Sequence, residues 1–586
     1  MTRIRSAVTA VDRRSFLTAT GAVGASAGIG LVLGAGGGSG EASAASTASA
    51  PPTHPAVPAA RPPATPLPVT PRPLPARTTL DTVASPRSAA VPYRRLGDGP
   101  GWRRVVRDDL AAPRSGRAGR RTVLSSFVQL TDMHLVDVQH PVRTEYLRSM
   151  GNLSSWRPQE ALTVPGAVAL VEQINALRHG PATGAPLAFA VTTGDNTDNN
   201  SRAELDWFLT VMSGGRVTPN TGDPRRYEGP QNSGERLYWH PEDARPDTDK
   251  KLGYPRVEGF LAAAIRSVNS PGLRIPWFST VGNHDTLASG AMADRSGYLA
   301  DFAVGGKKLY AIPDSAATTL RKVLTSGSRP AGGGLVDLLR ASTRSMRAIT
   351  PDPGRAPFGP REYLTAHLDP ARAGAGPAGH GYTAANLDSD TLYYTFPMGE
   401  NVTGISLDTT DRGGHFLGSL GTEQLKWLER TLVAHKDQYV VVFSHHNSWT
   451  MTNTHRDPAK PGEARHTGDE VVALLKKHRA VLAWVNGHSH RNAVLPHGSF
   501  WEISTASHID FPQLARVIEI ADNNDGTLSL FTTLIESSAP HRTDFHDLSQ
   551  TGLASLYREF SFNAPGAGKA GAGTSKDRNT ELVLKR

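Results

Sequence analysis

Five short polar motifs follow one another along the chain, and each comes directly after an apolar run. They contain side chains of the types that bind metals. Their carboxylate, imidazole and amide groups, without any sulfur, suit divalent or trivalent ions such as Mn, Fe, Zn or Co. Seven such side chains are too many for one catalytic ion that keeps an open position, but they suit two ions with one bridging ligand. The predicted ligands are Asp132, His134, Asp195, Asn283, His445, His488 and His490.

The apolar runs predict the elements that bring these side chains together. Each run is short, rich in Val, Phe and Thr, and ends in a polar turn, a pattern typical of a buried strand. The ligand crevice of an open α/β sheet lies at the carboxyl ends of its strands, so these strand ends predict one shared site. In Asp-x-His and His-x-His we expect extended backbone, on which residues two apart point the same way. The predicted strands are Val123–Thr131, Leu187–Thr193, Ile275–Val281, Tyr439–Phe443 and Ala480–Val485.

The order Asp-x-His, Gly-Asp, Gly-Asn-His-Asp, His and Gly-His-x-His, from Asp132 to His490, resembles the calcineurin-like metallophosphoesterases. That family includes the purple acid phosphatases and many bacterial phosphodiesterases. The resemblance implies an α/β fold in which two β-sheets pack as a sandwich flanked by helices, with large insertions and a two-metal site at one edge. It also implies two ligand sets: a first set of Asp132, His134, Asp195 and His490, and a second set of Asp195, Asn283, His445 and His488.

The resemblance implies further roles within these motifs. Asp195 would bridge the two metals, His284 would contact the phosphate and assist the leaving group, and Asp285 would orient His284. His446 adjoins His445, and either could be the ligand, although the family pattern favours His445.

Three more polar residues stand close to the motifs. Asn196 and Asp198 follow the bridging carboxylate closely enough to hydrogen-bond it, and metal ligands usually have such support. Asp137 either supports the site or approaches substrate, or it is a solvated loop residue.

The predicted reaction is metal-dependent hydrolysis of a phosphate ester, in which a hydroxide that bridges the two ions attacks phosphorus. Outside the predicted signal peptide the chain has no Gly-x-Ser-x-Gly elbow, and it has no Walker-type phosphate loop, the motifs of two other hydrolytic chemistries. The motifs do not separate monoesters from diesters, so a phosphodiesterase acting on lipid head groups, wall polymers or cyclic nucleotides is an alternative. A second alternative, a non-catalytic cell-wall-binding protein on the same scaffold, would need none of the ligands.

The N-terminal region predicts export. Residues 1–45 contain Arg13-Arg14 followed by an Ala- and Gly-rich stretch, which resembles a twin-arginine signal peptide, and Ala42-Ser43-Ala44 offers a cleavage site. We therefore expect the twin-arginine export machinery as a partner, and a secreted or cell-wall-associated protein. The chain has no cysteine, which excludes disulfides and an acylated lipoprotein anchor.

The rest of the chain divides by composition. Residues 46–92 are rich in Pro, Ala, Thr and Ser and predict a disordered linker, whereas residues 93–565 predict the metallophosphoesterase domain. Insertions at about 218–251 and 286–390 would select the substrate or form a lid. Residues 566–586 predict a flexible tail with a final strand over Thr580–Leu584.

The net charge of +9 favours anionic partners. The protein could adhere to an anionic cell wall or attract a phosphorylated substrate. There is no basic helix and no basic patch interleaved with aromatic residues, so nucleic acid is not expected. No second apolar stretch is long enough for a transmembrane anchor.

Overall fold

The computed structural model describes residues 77–586 with the exception of 89–90, 152–154, 294–295, 314–333, 415, 458 and 566–568. The predicted signal peptide and most of the predicted linker lie outside the described residues. Within the described part of the chain, no helix combines the length and apolar character needed to cross a membrane.

A mixed seven-stranded sheet forms one half of the core. Three of its strands run parallel as direct neighbours, so their carboxyl ends leave the sheet at the same edge. These are the strands that precede the first three motifs. In spatial order the sheet contains Val105–Arg107, Thr580–Lys585, Thr527–Ile535, Ala515–Asp522, Thr122–Leu130, Phe189–Thr193 and Trp277–Thr280.

A six-stranded sheet forms the other half and carries the last two motifs. Its four central strands are parallel neighbours, and each edge strand runs antiparallel to the strand beside it. In spatial order the sheet contains Tyr394–Gly399, Val402–Ser406, Tyr439–Phe443, Val481–Asn486, Trp501–Ser504 and Ala493–Pro496.

The two sheets pack face to face through a shared apolar core. The ring of Phe127 meets that of Phe443 edge-on at 5.7 Å between centroids, and Phe278 stacks on Phe396 at 4.0 Å. Helices Thr422–Ala434 and Gly468–Lys476 cover the outer face of the six-stranded sheet. The predicted α/β fold with two sandwiched sheets and flanking helices is confirmed.

The remaining elements are helices and short ribbons around this sandwich. Helix Thr163–Leu177 lies against helix Gln550–Asn563, and Gly166 permits this approach because a Cβ there would lie 2.3 Å from the ring of Tyr557. The other α-helices of the described residues are Arg202–Ser213, Phe260–Ala264, Tyr298–Val304, Gly334–Ala341, Pro360–Leu368 and Ala384–Ser389. The two-stranded ribbons pair Thr82–Pro86 with Leu96–Pro100, Gly215–Val217 with Val268–Ser270, Lys307–Lys308 with Arg347–Ala348, and Leu420–Gly421 with Arg465–His466.

The domain extends past the predicted boundaries at both ends. Thr82–Pro86 belongs to a ribbon, and the buried Thr79 hydroxyl donates to the backbone oxygen of Leu534 at 2.9 Å. Residues 77–88 are therefore part of the domain, and the prediction of a linker up to residue 92 is wrong there. Strand Thr580–Lys585 lies inside the seven-stranded sheet and is almost wholly buried, at the place where the sequence predicts a final strand over Thr580–Leu584.

Candidate metal centre

The carboxyl ends of the five motif-bearing strands converge, and their ligand atoms form overlapping groups of three. Within each group, all three atoms lie within 4.8 Å of one another. Six of the seven predicted ligands belong to such groups. The groups among the described residues are Asp132–His134–His490, Asp132–Asp195–His445, His134–Asp195–His284 and His445–His446–His488.

Asp132 has one oxygen fixed by the protein and one directed to the site. Its Oδ2 accepts from the hydroxyl of Thr131 at 2.6 Å and from the backbone N–H of His488 at 3.0 Å. Its Oδ1 has no hydrogen-bond partner among the described residues and lies 3.2 Å from His490 Nε2. The carboxylate is thus held in place while one oxygen stays available as a ligand.

His134 and His490 are oriented by carboxylates behind them. His134 Nδ1 donates to Asp198 Oδ1 at 3.0 Å, and His490 Nδ1 donates to Asp510 Oδ2 at 2.7 Å. A carboxylate acceptor fixes the proton on Nδ1, which leaves Nε2 as the ligand atom and makes it more basic. Both histidines offer a ligand atom to the group that contains Asp132, and His490 Nε2 lies 3.2 Å from Asp132 Oδ1.

Asp195 lies between the two predicted sets. Its Oδ1 accepts from the backbone N–H of His284 at 2.8 Å. Its Oδ2 lies 3.1 Å from His445 Nε2 and 3.6 Å from His134 Nε2, one histidine from each set. This central place is the one that a bridging ligand requires.

The second set is held by neutral groups. His445 Nδ1 donates to the backbone oxygen of Thr193 at 2.8 Å, and Asn283 Nδ2 donates to that of Gly290 at 3.0 Å. Asn283 Oδ1 is buried without a hydrogen-bond partner among the described residues. His488 Nδ1 lies 3.2 Å from His445 Nε2, so the two rings approach the same place.

His446 does not compete with His445 as a ligand. Both of its ring nitrogens are already occupied, Nδ1 by the hydroxyl of Thr409 at 2.8 Å and Nε2 by the backbone oxygen of Phe416 at 2.9 Å. His445 has only Nδ1 occupied by the backbone, so its Nε2 remains directed to Asp195. The geometry favours His445, the residue that the family pattern favours.

The donor set therefore fits two metal ions. Asp132 Oδ1, His134 Nε2 and Asn283 Oδ1 are buried without hydrogen-bond partners in the described part of the protein. A buried polar atom left unpaired costs about 1–3 kcal/mol, and a bound cation would remove that cost at all three. Carboxylate, imidazole and amide donors suit Mn, Fe or Zn.

The backbone of most of these ligands is strained, contrary to the expectation of extended segments. Asp132, His134, Asp195, His488 and His490 all have φ between +40° and +62°, in the left-handed region where non-glycine residues cost of order 1–3 kcal/mol. The motif glycines permit this tight geometry. At Gly487 a Cβ would lie 1.9 Å from the hydroxyl oxygen of Thr131, and at Gly282 a Cβ would lie 2.2 Å from the backbone nitrogen of Asp195.

Carboxylates and imidazoles shift each other's protonation. Burial alone would lower the pKa of His445 and of His490, but the negative charges of Asp195 and Asp132 respectively raise each pKa to about 9. For the carboxyl of Asp195 the signs are reversed. Burial alone would raise its pKa, but His445 and its neighbours hold that pKa well below its ordinary value. Protons and metal ions therefore compete for the same donors.

His284 stands beside the predicted ligands. Its Nδ1 donates to the backbone oxygen of Asp198 at 2.6 Å, and its ring lies 4.6 Å from that of His134. Gly290, at φ +71°, leaves room for the ring, since a Cβ there would lie 2.3 Å from His284 Nε2. The ring is thus fixed through Nδ1, and Nε2 is the atom left for chemistry.

Asp285 does not orient His284, and that predicted contact is wrong. Its carboxylate accepts backbone N–H groups of Thr197 at 2.9 Å, Gly282 at 2.9 Å and Asn196 at 3.2 Å. Asp285 therefore ties the Gly194–Asp195 loop to the Gly282–Asn283 turn, and the backbone of Asp198 holds the histidine instead.

Asn196, Asp198 and Asp137, the other residues predicted to support the site, have different surroundings in the structure. Asp198 contacts His134, as described above, rather than Asp195. The Asn196 amide donates to the backbone oxygen of Thr280 at 3.1 Å and does not contact Asp195. Asp137 is buried and accepts from the Thr221 hydroxyl at 2.6 Å, so it is neither a solvated loop residue nor next to the ligands.

The two predicted insertions contact the loop that follows Thr122–Leu130. Gln139 Nε2 donates to the backbone oxygen of Thr221, in the first insertion, at 2.7 Å. The fully buried Lys308, in the second insertion, donates to the backbone oxygen of His140 at 2.5 Å. The described parts of both insertions thus support the loop beyond His134, and a role in substrate selection stays a prediction.

Sequence reasoning missed the charged residues behind the ligands. Asp510, Arg143, Arg157 and Glu160 are buried or nearly so and belong to one hydrogen-bonded system with His134 and His490. Asp510 stands 20 positions after His490 in no recognisable motif. Its neighbour His508 also ties that loop to a motif, because the backbone N–H of His508 donates to the backbone oxygen of Asp132 at 3.1 Å.

Comparison with known proteins gives partial similarities. No family model matches the chain. A manganese-dependent ADP-ribose/CDP-alcohol diphosphatase from Danio rerio is 30% identical over 111 residues, which make up 19% of this chain and 31% of that protein. The alignment thus spans about a third of that relative's length.

Two solved structures show weak overall similarity. A dimetal phosphatase from Danio rerio is 11% identical with a TM-score of 0.32, over 71% of this chain and 100% of that chain. A purple acid phosphatase from yellow lupin seeds is 10% identical with a TM-score of 0.27, over 76% and 54%. Over part of its length, the chain is therefore similar in sequence to a protein named for manganese-dependent diphosphatase activity.

Proposed function

We propose that the protein is a metal-dependent phosphoesterase, with the first set (Asp132, His134, Asp195, His490) and the second set (Asp195, Asn283, His445, His488) holding one ion each. The observation that carries the proposal is the shared design of these side chains. Most have one polar atom fixed by the protein and a second one directed to a common centre. The alignment with a manganese-dependent diphosphatase supports manganese as the ion to test first.

The metals, when bound, would supply Lewis acidity toward a phosphoryl oxygen and a lowered pKa for water. The chain's own residues would do the rest. Asp195 would hold both ions, because its Oδ2 faces one histidine from each set. No side chain needs to act as a nucleophile.

His284 is the proposed proton donor. With Nδ1 donating to the backbone oxygen of Asp198, Nε2 is free to hydrogen-bond the phosphate or to give a proton to the departing oxygen. A positioned general acid typically contributes about 10²–10⁴ in rate. Its support comes from the Asp198 backbone, and Asp285 would act only by fixing the two loops.

The substrate class is proposed at two levels. The broad proposal is a phosphate ester, with monoesters and diesters both compatible with the ligand sets. A second candidate, hydrolysis of a nucleoside-diphosphate-linked compound, is favoured by the alignment with an ADP-ribose/CDP-alcohol diphosphatase. A non-catalytic wall-binding role is less well supported, because such a protein would not need this complete set of oriented donors.

We also propose that the protein is exported through the twin-arginine route and acts outside the cytoplasm or at the cell wall. Arg13-Arg14 and the small residues at Ala42-Ser43-Ala44 support this. Replacing both arginines with lysine should retain the protein inside the cells, as measured by fractionation; unchanged secretion would refute the route.

Activity is tested with manganese-loaded protein on a chromogenic monoester, a chromogenic diester and ADP-ribose. Asp195→Asn should abolish hydrolysis of all three. Asp522→Asn is the matched control, because Asp522 is a buried aspartate that pairs with Thr122 at the opposite end of the same sheet. Equal activity in wild type and Asp195→Asn would refute the proposal. The order of the three rates would identify the substrate class.

A further inference from the structure

A continuous chain of buried charges joins the two histidines of the first set, and we call it the ionic bridge. It begins at His134, whose Nδ1 donates to Asp198 Oδ1 at 3.0 Å. The second oxygen of Asp198 accepts from Arg143 NH1, and Arg143 NH2 donates to Glu160 Oε2 at 2.6 Å. Each of these side chains is less than a tenth exposed.

The bridge continues from Glu160 to the other histidine. Glu160 Oε1 lies 3.4 Å from Arg157 NH1. Arg157 binds Asp510 with two parallel hydrogen bonds, from Nε at 2.5 Å and from NH2 at 2.9 Å. Asp510 Oδ2 then accepts from His490 Nδ1 at 2.7 Å. Three carboxylates alternate with two guanidinium groups between the histidines.

Among the residues that the structure describes, no carboxylate supports Asn283 or His445 of the second set in this way. Its Asn283 and His445 donate to the neutral backbone oxygens of Gly290 and Thr193. Carboxylate acceptors make an imidazole a stronger ligand than carbonyl acceptors do, so the two metal positions differ in what stands behind them. The difference lies in the chain's own residues and needs no assumption about which ion is bound.

We propose that Arg143, Glu160 and Arg157 are positioning residues for the first metal. The inference rests on the proposed function. The arginines hold Asp198 and Asp510 against the histidines, and Glu160 keeps the two guanidinium groups side by side. Removing its charge would take a buried anionic partner from both guanidinium groups, and removing one partner of a buried ionic system is strongly destabilising. The histidines would then lose their fixed orientation.

Glu160→Gln is the direct test because it removes the charge and keeps the shape. Burial raises the pKa of the Glu160 carboxyl to about 7, against the effect of the two guanidinium groups, so binding is measured well above that pH. The full chain is titrated with Mn²⁺, and both dissociation constants and the bound manganese per chain are determined. We expect one of the two ions to bind about 10–100-fold more weakly, the usual effect of removing outer support, and the other to be unchanged.

Asp249→Asn is the matched control. Asp249 forms a buried ion pair with Arg148 at 2.8 Å. Arg148 is close in sequence to Arg143, but this pair is not part of the ionic bridge. It should lower thermal stability and leave both manganese constants unchanged. A second variant, Arg157→Lys, keeps the charge and loses the paired hydrogen bonds, so it should weaken the same ion as Glu160→Gln even where the latter folds poorly.

The outcomes separate this inference from the proposed function. Wild-type protein that binds no manganese and hydrolyses no phosphate ester would overturn both. Wild type that binds two ions, with Glu160→Gln and Arg157→Lys binding them equally well, would overturn the bridge alone. Equal weakening of both ions in all three variants would also overturn it, because general loss of stability would then explain the result.

Discussion

Replacing His284 with alanine distinguishes a proton donor from a metal ligand. The His284, His134 and Asp195 ligand atoms lie within 4.8 Å of one another, so His284 could in principle bind an ion. Its neighbour Asn283, however, already supplies an unpaired buried oxygen at the second set. We therefore expect the variant to keep both metals and to lose rate.

The size of the loss follows from the role. A positioned general acid contributes about 10²–10⁴ in rate, and each factor of ten corresponds to about 1.4 kcal/mol of barrier. The His284→Ala variant should thus show a barrier higher by about 3–5.5 kcal/mol. If His284 protonates the departing oxygen, the rate of hydrolysis should fall more for phenyl phosphate than for nitrophenyl phosphate. Phenolate is the more basic leaving group and therefore depends more on protonation.

The assay combines kcat for both esters with manganese content per chain. His541→Ala serves as control, since His541 is a mostly buried histidine that contacts the carboxylates of Asp98 and Glu536, in the region of the Thr82–Pro86 ribbon. Its kcat should equal that of wild type. Loss of one ion from His284→Ala would show that His284 is a ligand. An unchanged kcat would show that His284 takes no part in the reaction.

Three other predictions test the site. Asp195→Ala should lose manganese and all activity together, as measured by metal analysis and turnover, whereas retention of both ions would contradict the bridging role. Gly487→Ala should lower the melting temperature and the metal content, because its Cβ would meet the Thr131 hydroxyl at 1.9 Å; Gly462→Ala, with nothing within 4 Å, should not. When manganese is added to protein from which a chelator has removed the metal, at a free concentration of 100 times its Kd, the free energy of unfolding should rise by about 2.7 kcal/mol. Chemical unfolding measures this, and an unchanged midpoint would argue against a site in the folded state.

The strands and the order of the ligands could be predicted because both signals are local. Each motif directly follows its apolar run, so recognising the run also places the motif at a strand end. The first strand is Thr122–Leu130, one residue away from the predicted Val123–Thr131. Parallel neighbours then bring these ends to one edge, which is a property of the α/β sheet and needs no further sequence information.

The conformation of the motifs could not be read from the same signal. Asp132 and His134, at φ +50° and +40°, are left-handed rather than extended, because apolar periodicity reports burial and says nothing about the turn that follows. The prediction that Asp285 orients His284 is wrong for a related reason, because it assumes that neighbours in sequence contact each other. The short 3₁₀ turn Asn283–Asp285 sends neighbouring side chains in different directions, so Asp285 reaches the Asp195 loop while His284 faces the ligands.

The ionic bridge was out of reach of sequence reasoning, because its contacts join residues far apart in the chain. Arg157 and Asp510 are separated by 353 positions, and each alone resembles an ordinary surface charge. Yet the strained backbone of the ligand motifs implies that something must hold them. Each left-handed ligand costs about 1–3 kcal/mol, so isolated motifs would relax toward ordinary conformations and lose the common centre. The same five motifs on a scaffold without these buried supports should therefore bind metal weakly, which makes the supporting charges as much a part of the site as its ligands.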